Sequence, residues 1–115
     1  MTNDEALNEF LMYLSNEKGY SENTIISYKE DILQFIEFIK VEKIARDLLS
    51  IRNSKTCQNY ISYMSRMENL KPTSIHRHVS SLSTFYDYLV KEGIVKENFF
   101  KDLDTPIHCD EAVYA

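Results

Sequence analysis

Between Lys18 and Ile39 the chain spells out a helix stop, a tight turn, a helix start and a long two-faced helix, in that order. Gly19 can take the left-handed conformation that closes a helix. Ser21 is placed to accept a hydrogen bond from the free N–H groups that open the next one. After it Ile25, Tyr28, Ile32, Phe35, Ile36 and Ile39 recur at three- and four-residue intervals, the apolar stripe of an amphipathic helix. Asn23, Ser27, Glu30, Gln34 and Glu37 lie on the other side. A segment of this kind must bury one face against other helices, and its exposed start offers backbone donors to an anion.

The rest of the chain repeats this grammar. Two glycines and two prolines in 115 residues, with 43% hydrophobic residues, are the makeup of a helical domain with one core, not of a turn-rich β-fold or a disordered tail. The first helix is expected from about Asp4 to Lys18, capped by Asn3 or Asp4, with Leu7, Phe10, Leu11 and Leu14 inward. The second runs from Glu22 to about Lys40. Val41 to Asn53 has no clean period and is read as a connection with one short turn of helix. Ser54 is expected to cap a third helix carrying Cys57, Tyr60, Ile61, Met64 and Met67 and ending near Asn69. Leu70-Lys71-Pro72 breaks it, and Pro72 or Thr73 starts a fourth helix with Ile75, Val79, Leu82, Phe85 or Tyr86, and Leu89 inward, stopped at Gly93. Ile94, Val95, Phe99, Phe100 and Leu103 are too apolar for water and are expected to pack back. His108 to Ala115 reads as a loose tail, so the domain spans 1–107.

Several function classes lose support at this level. Cys57 and Cys109 are far apart and have no CxxC partner, so neither a zinc site nor a disulfide framework is indicated. His76 and His78 diverge on a helix, which argues against a shared metal and suggests two solvated histidines. No apolar run approaches membrane-spanning length and no basic-then-apolar leader opens the chain, so a soluble, cytoplasmic protein is expected. No nucleophile and base converge, and no cofactor or small-molecule substrate is implied. The carboxylates read as solvated charges, with Asp31 the one suited to a hydrogen bond inside the bundle. The aromatic residues at helical spacing read as core, with tyrosine hydroxyls at the rim.

The net charge of −5 argues against a polyanion partner until its distribution is considered. Residues 1–17 contain four acids and no Lys or Arg, whereas residues 18–96 contain 12 basic and 9 acidic residues. The middle is mildly basic, which permits nucleic acid without requiring it.

The order of these signals then becomes specific. Glu17-Lys18-Gly19-Tyr20-Ser21-Glu22-Asn23-Thr24, followed by Tyr28, Asp31, Phe35 and Phe38, closely resembles the N-terminal core-binding domain of tyrosine recombinases, the phage integrase and Xer family. Thr73, Ser74, Ile75, Arg77, Val79, Ser80, Leu82, Phe85, Tyr86, Leu89 and Gly93 match that family's fourth helix in register. The resemblance spans roughly Leu7 to Pro106. It implies an all-α, SAM-like orthogonal bundle of four principal helices with a short C-terminal apolar segment. In function it implies a clamp on one side of duplex DNA at a recombination half-site, with helices two and four toward the major groove. In the family a further domain carries the Arg, Lys, His and Arg cluster and the tyrosine nucleophile. That domain is missing from this sequence, Tyr114 has none of its partners, and this chain is not expected to be an enzyme by itself. Full recombinases work as tetramers, so other protomers are implied partners, with Phe99 and Phe100 as alternative contacts to a neighbour. Ser83 in place of a second Arg, Phe99 after Asn98 in place of Pro, and the acidic total depart from the family pattern.

In this register the DNA-contacting residues are Ser21, Asn23, Thr24, Ser27 and Lys29 at the second helix, and Lys71, Thr73, Ser74, Arg77 and Ser81 at the fourth. From the residues alone Ser21 reads first as a plain cap and Asn23, Thr24 and Ser27 as a solvated face, and the family register shifts the preference to contact for Thr24 and Ser27; Arg77, a bidentate donor to phosphate or guanine, reads equally as a surface ion pair. The rival from another class is a helical protein-interaction module with no DNA role.

Overall fold

Left-handed residues punctuate the chain at four points: Gly19 (φ 64°), Lys43 (φ 54°), Asn69 (φ 53°) and Gly93 (φ 74°). Each follows the end of one of four helices, α1 (Asn3–Asn16), α2 (Glu22–Val41), α3 (Ser54–Arg66) and α4 (Pro72–Lys91). The computed structural model describes residues 1–45, 47–51, 53–101 and 103. The architecture is an all-α bundle of four principal helices, with no strand among the described residues. Its radius of gyration of 14.0 Å is close to the roughly 13 Å of a compact domain of this length.

The turns after α1 and α3 are built alike. Tyr20 N–H donates to the Leu14 carbonyl at 3.1 Å, and Leu70 N–H donates to the Met64 carbonyl at 3.0 Å, each bond closing over a left-handed residue. Leu14 and Met64 are both fully buried. The chain is thus two helical hairpins with the same punctuation, α1 with α2 and α3 with α4.

Helix starts differ by a residue or so from the sequence expectation. Thr2, not Asn3 or Asp4, caps α1 in a capping box with Glu5. This frees Asn3, whose Oδ1 accepts from Leu48 N–H at 2.9 Å across 45 residues. Ser21 caps α2 as expected. Asn53, not Ser54, caps α3, accepting from Lys55 and Thr56 N–H. Pro72 opens α4, and Lys71 in the cap position makes no side-chain cap bond. Helix ends shift too: α1 stops at Asn16, and α3 stops at Arg66, leaving Met67 beyond the stripe and 74% exposed.

The core joins all four helices. Phe10 of α1 meets Tyr28 of α2 and Phe85 and Tyr88 of α4, while Phe35 of α2 meets Tyr60 of α3 at 5.0 Å and Phe100 at 5.1 Å. Each such fully buried ring or aliphatic chain contributes about 1.5–3 kcal/mol through removal from water. Both Phe85 and Tyr86 point inward, where the spacing predicts one or the other. The tyrosine hydroxyls do not all reach the rim. Tyr86 Oη is buried and donates to the Leu48 carbonyl at 2.7 Å, and Tyr60 Oη is buried without a partner among the described residues. Tyr86 and Asn3 together pin the short 3-10 turn Leu48–Ser50, the one turn of helix in the connection. Cys57 is core, and burial pushes its thiol up to about 12.

Beyond Gly93 the apolar segment folds back, with Phe100 and Leu103 buried and Phe99 half-buried. Asn98 fastens it to α4: its Nδ2 donates to the Ser83 carbonyl at 2.8 Å and to Asp87 at 3.0 Å, and its Oδ1 accepts from Phe100 N–H. Cys109, Tyr114 and the tail 108–115 lie outside the described residues. Among the described residues, no helix is long and apolar enough to cross a membrane.

Candidate nucleic-acid interface

At the start of α2 the polar residues stand in solvent. Ser21 Oγ accepts from Thr24 N–H at 3.3 Å and lies 3.0 Å from Thr24 Oγ1, so the two hydroxyls form one small cap. Asn23, Thr24, Ser27 and Lys29 are exposed. At the start of α4, Lys71 and Thr73 are exposed and Ser74 is half-buried. Lys29 and Lys71 form no ion pair among the described residues. The first turn of α4 contains no acidic residue, so nothing on the helix competes there for its positive end.

Asp31 joins the two helices. It is fully buried half-way along α2, and both its oxygens are used by α4. Oδ1 accepts from Arg77 Nη2 at 2.9 Å, and Oδ2 accepts from Ser81 Oγ at 2.7 Å. Helical spacing continues this junction outward in both directions. Thr24, Ser27 and Asp31 form one row on α2, and Thr73, Arg77 and Ser81 form one row on α4. The rows meet at the carboxylate. Arg77 keeps 59% of its side chain exposed while that of Asp31 is 1% exposed, so the guanidinium is held at one end and open at the other.

Two residues sit differently from expectation. Ser81 is buried and its hydroxyl is committed to Asp31, so it supports the junction from inside and is not presented on the surface. His78 is not solvated but 3% exposed, because it falls on the widened inner stripe with Ile75 and Leu82. Its Nε2 lies 3.4 Å from Arg77 Nη2, and its Nδ1 lies 3.4 Å from Asp31 Oδ1, close enough for electrostatic contact but not aligned as a hydrogen bond. Arg77 can only donate, so the contact at Nε2 fits a neutral ring with its proton on Nδ1. His76, by contrast, is exposed.

Burial lowers the His78 pKa; Asp31 and Glu68 oppose the shift and Arg77 adds to it. The folded state therefore binds this proton less readily than the unfolded chain, and stability falls as pH drops through the ordinary histidine value near 6.5. Urea midpoints between pH 7.5 and 5.5 should decline in the wild type and decline less in His78→Gln. Equal declines would place the effect elsewhere.

Residues 7–93 match the family described as phage integrase, N-terminal SAM-like domain. The chain belongs to that family. It is 37% identical over 106 residues to tyrosine recombinase XerC of Leptospira interrogans serovar copenhageni, a match covering 89% of this chain and 33% of the relative. It is 38% identical over 79 residues to tyrosine recombinase XerC of Staphylococcus aureus strain USA300, covering 69% of this chain and 25% of the relative. The chain thus spans between a quarter and a third of the curated relatives it matches. No solved structure gives a significant match.

Within this integrase-type SAM-like domain, Asp31 is the residue whose part in the site the sequence only hinted at. The one signal was a carboxylate on an apolar stripe between Tyr28 and Phe35, which demands a partner, with Arg77 and Ser81 four residues apart on another helix. Among the described residues, no group of three His, Cys, Asp or Glu side chains is placed to hold a metal ion.

Proposed function

We propose that this chain is the DNA-clamping domain of a tyrosine recombinase, that it grips duplex DNA with the N-terminal halves of α2 and α4, and that strand cleavage and rejoining belong to a domain outside this sequence. The observation that carries this reading is the Asp31 junction, because it ties the exposed polar row of α2 to that of α4 and leaves an arginine fork open beside them. Ser21, Asn23, Thr24, Ser27 and Lys29 would meet the backbone or base edges from one side, and Lys71, Thr73, Ser74 and Arg77 from the other. Ser81 serves from behind. Further protomers of the complete recombinase are the protein partners, and the site of action is where the DNA is, in the cytoplasm.

The rival reading, a protein-interaction module, relies on the acidic ends together with an exposed apolar tail. Phe100 and Leu103 are buried in the fold, which removes much of that surface.

Fluorescence anisotropy with a mixed pool of labelled duplexes tests the proposal. Affinity should fall steeply between 50 and 200 mM salt, with a log–log slope of about −0.9 per phosphate neutralised. Lys71→Ala and Lys29→Ala should each make the slope shallower by roughly one. No binding even at the lowest salt would favour the interaction module.

A further inference from the structure

We propose that Asp31 is the positioning residue for Arg77 in sequence recognition: a buried carboxylate on α2 that fixes the guanidinium of an α4 residue so that its remaining donors face the DNA bases; this rests on the DNA-binding reading above. The asymmetry of the pair points this way. A purely internal ion pair would enclose both partners, yet here the carboxylate is enclosed and the guanidinium is mostly open. The carboxylate cannot swing, since Ser81 Oγ holds Oδ2 at 2.7 Å while Arg77 Nη2 holds Oδ1 at 2.9 Å. His78 fills the space behind, 3.4 Å from both Arg77 Nη2 and Asp31 Oδ1, so the fork cannot fold inward.

Arginine has five N–H donors in a rigid plane. Two contacts at Nη2, to Asp31 Oδ1 and to His78 Nε2, hold that plane and leave Nη1 and Nε as the free donors, so that Nη1 can direct a hydrogen bond to an acceptor on a base edge such as guanine O6 or N7. A loose surface arginine can neutralise phosphate at many angles. A directed hydrogen bond to a base edge needs one angle, and the buried carboxylate supplies it.

The experiment separates reading from charge. A duplex selected by the wild-type domain from a randomised pool, and a scrambled version of it, are titrated against wild type, Asp31→Asn, Ser81→Ala and Arg77→Ala, with folding checked by circular dichroism. Asp31→Asn should reduce the selected-to-scrambled affinity ratio by about tenfold. Its affinity for the scrambled duplex should hold or rise, because a negative charge is lost and Arg77 keeps its own. Arg77→Ala should reduce the ratio similarly but also weaken scrambled binding and flatten the salt slope. Ser81→Ala should lower the ratio by roughly two- to threefold, and it decides the question if Asp31→Asn does not fold. The proposal is overturned if Asp31→Asn, or in that event Ser81→Ala, keeps the wild-type ratio, or if selected and scrambled binding weaken equally, as a merely structural role requires. It is overturned as well if Arg77→Ala leaves the ratio intact. Absence of any wild-type binding is a different result, visible before a variant is made, and refutes the DNA reading itself.

Discussion

Phe10→Ala is expected to destabilise the domain by about 3–5 kcal/mol, the range for emptying a fully enclosed aromatic site. Phe10 is fully buried, and its ring lies 5.8 Å from Tyr28, 5.2 Å from Phe85 and 5.6 Å from Tyr88. The one side chain therefore holds α1 against both α2 and α4, the two helices proposed to carry the interface. Rings on two other helices cannot close over the space together, because each is anchored by its own backbone. Against a total stability of about 5–15 kcal/mol the loss is large enough to leave part of the population unfolded at 37 °C. Urea unfolding measures it directly. Phe10→Leu should lose under about 1.5 kcal/mol, and Met12→Ala, at a site 61% exposed on the same helix, should change stability by less than about 0.5 kcal/mol. A Phe10→Ala loss as small as that of Met12→Ala would mean that α1 is not fastened through this ring.

The four helices are legible in the sequence because stripe and punctuation agree: Gly19 before Ser21, Pro72 after the α3 stripe, and Gly93 at the end of α4. Caps slip where two capping residues are adjacent. Asn53 and Ser54 are chemically interchangeable as caps, and only the tertiary path selects Asn53. The end of α2, expected near Lys40 and found at Val41, carries no glycine of its own. Lys43 has no preference for φ above zero, and that turn is closed by Ile44 N–H on the Ile39 carbonyl, not announced by a glycine. The connection to α3 shows no period because its hold is remote, from Asn3 and Tyr86 onto Leu48, contacts 45 and 38 residues apart. At the candidate interface, the exposure of the residues at the two helix starts follows from sequence pattern alone. The inner support does not: a stripe drawn through Ile75, Val79 and Leu82 leaves Ser81 and His78 on the surface, and the true buried face is wide enough to take in the neighbouring row.

That inner support makes Arg77→Ala the second large effect, with an expected loss of about 3 kcal/mol. An exposed ion pair would contribute at most about 1 kcal/mol, and the arginine side chain is indeed more than half exposed. The partner decides the size. Removing Arg77 leaves the Asp31 carboxylate in the core with Ser81 as its hydrogen-bond donor and His78, a neutral ring, beside it. Stranding a buried charge costs about 3–5 kcal/mol, and the retained bond from Ser81 places the loss at the lower end. The reverse truncation is milder, since Arg77 freed from Asp31 can turn to water. A double-mutant cycle with Asp31→Asn separates these contributions. If the stranded charge is the cause, Arg77→Ala should cost about 1–2 kcal/mol less in the Asp31→Asn background than in the wild type. Urea midpoints for the four proteins give the coupling. Additive losses, or an Arg77→Ala effect under about 1 kcal/mol, would reduce the contact to an ordinary surface pair and with it the link between the two halves of the proposed interface.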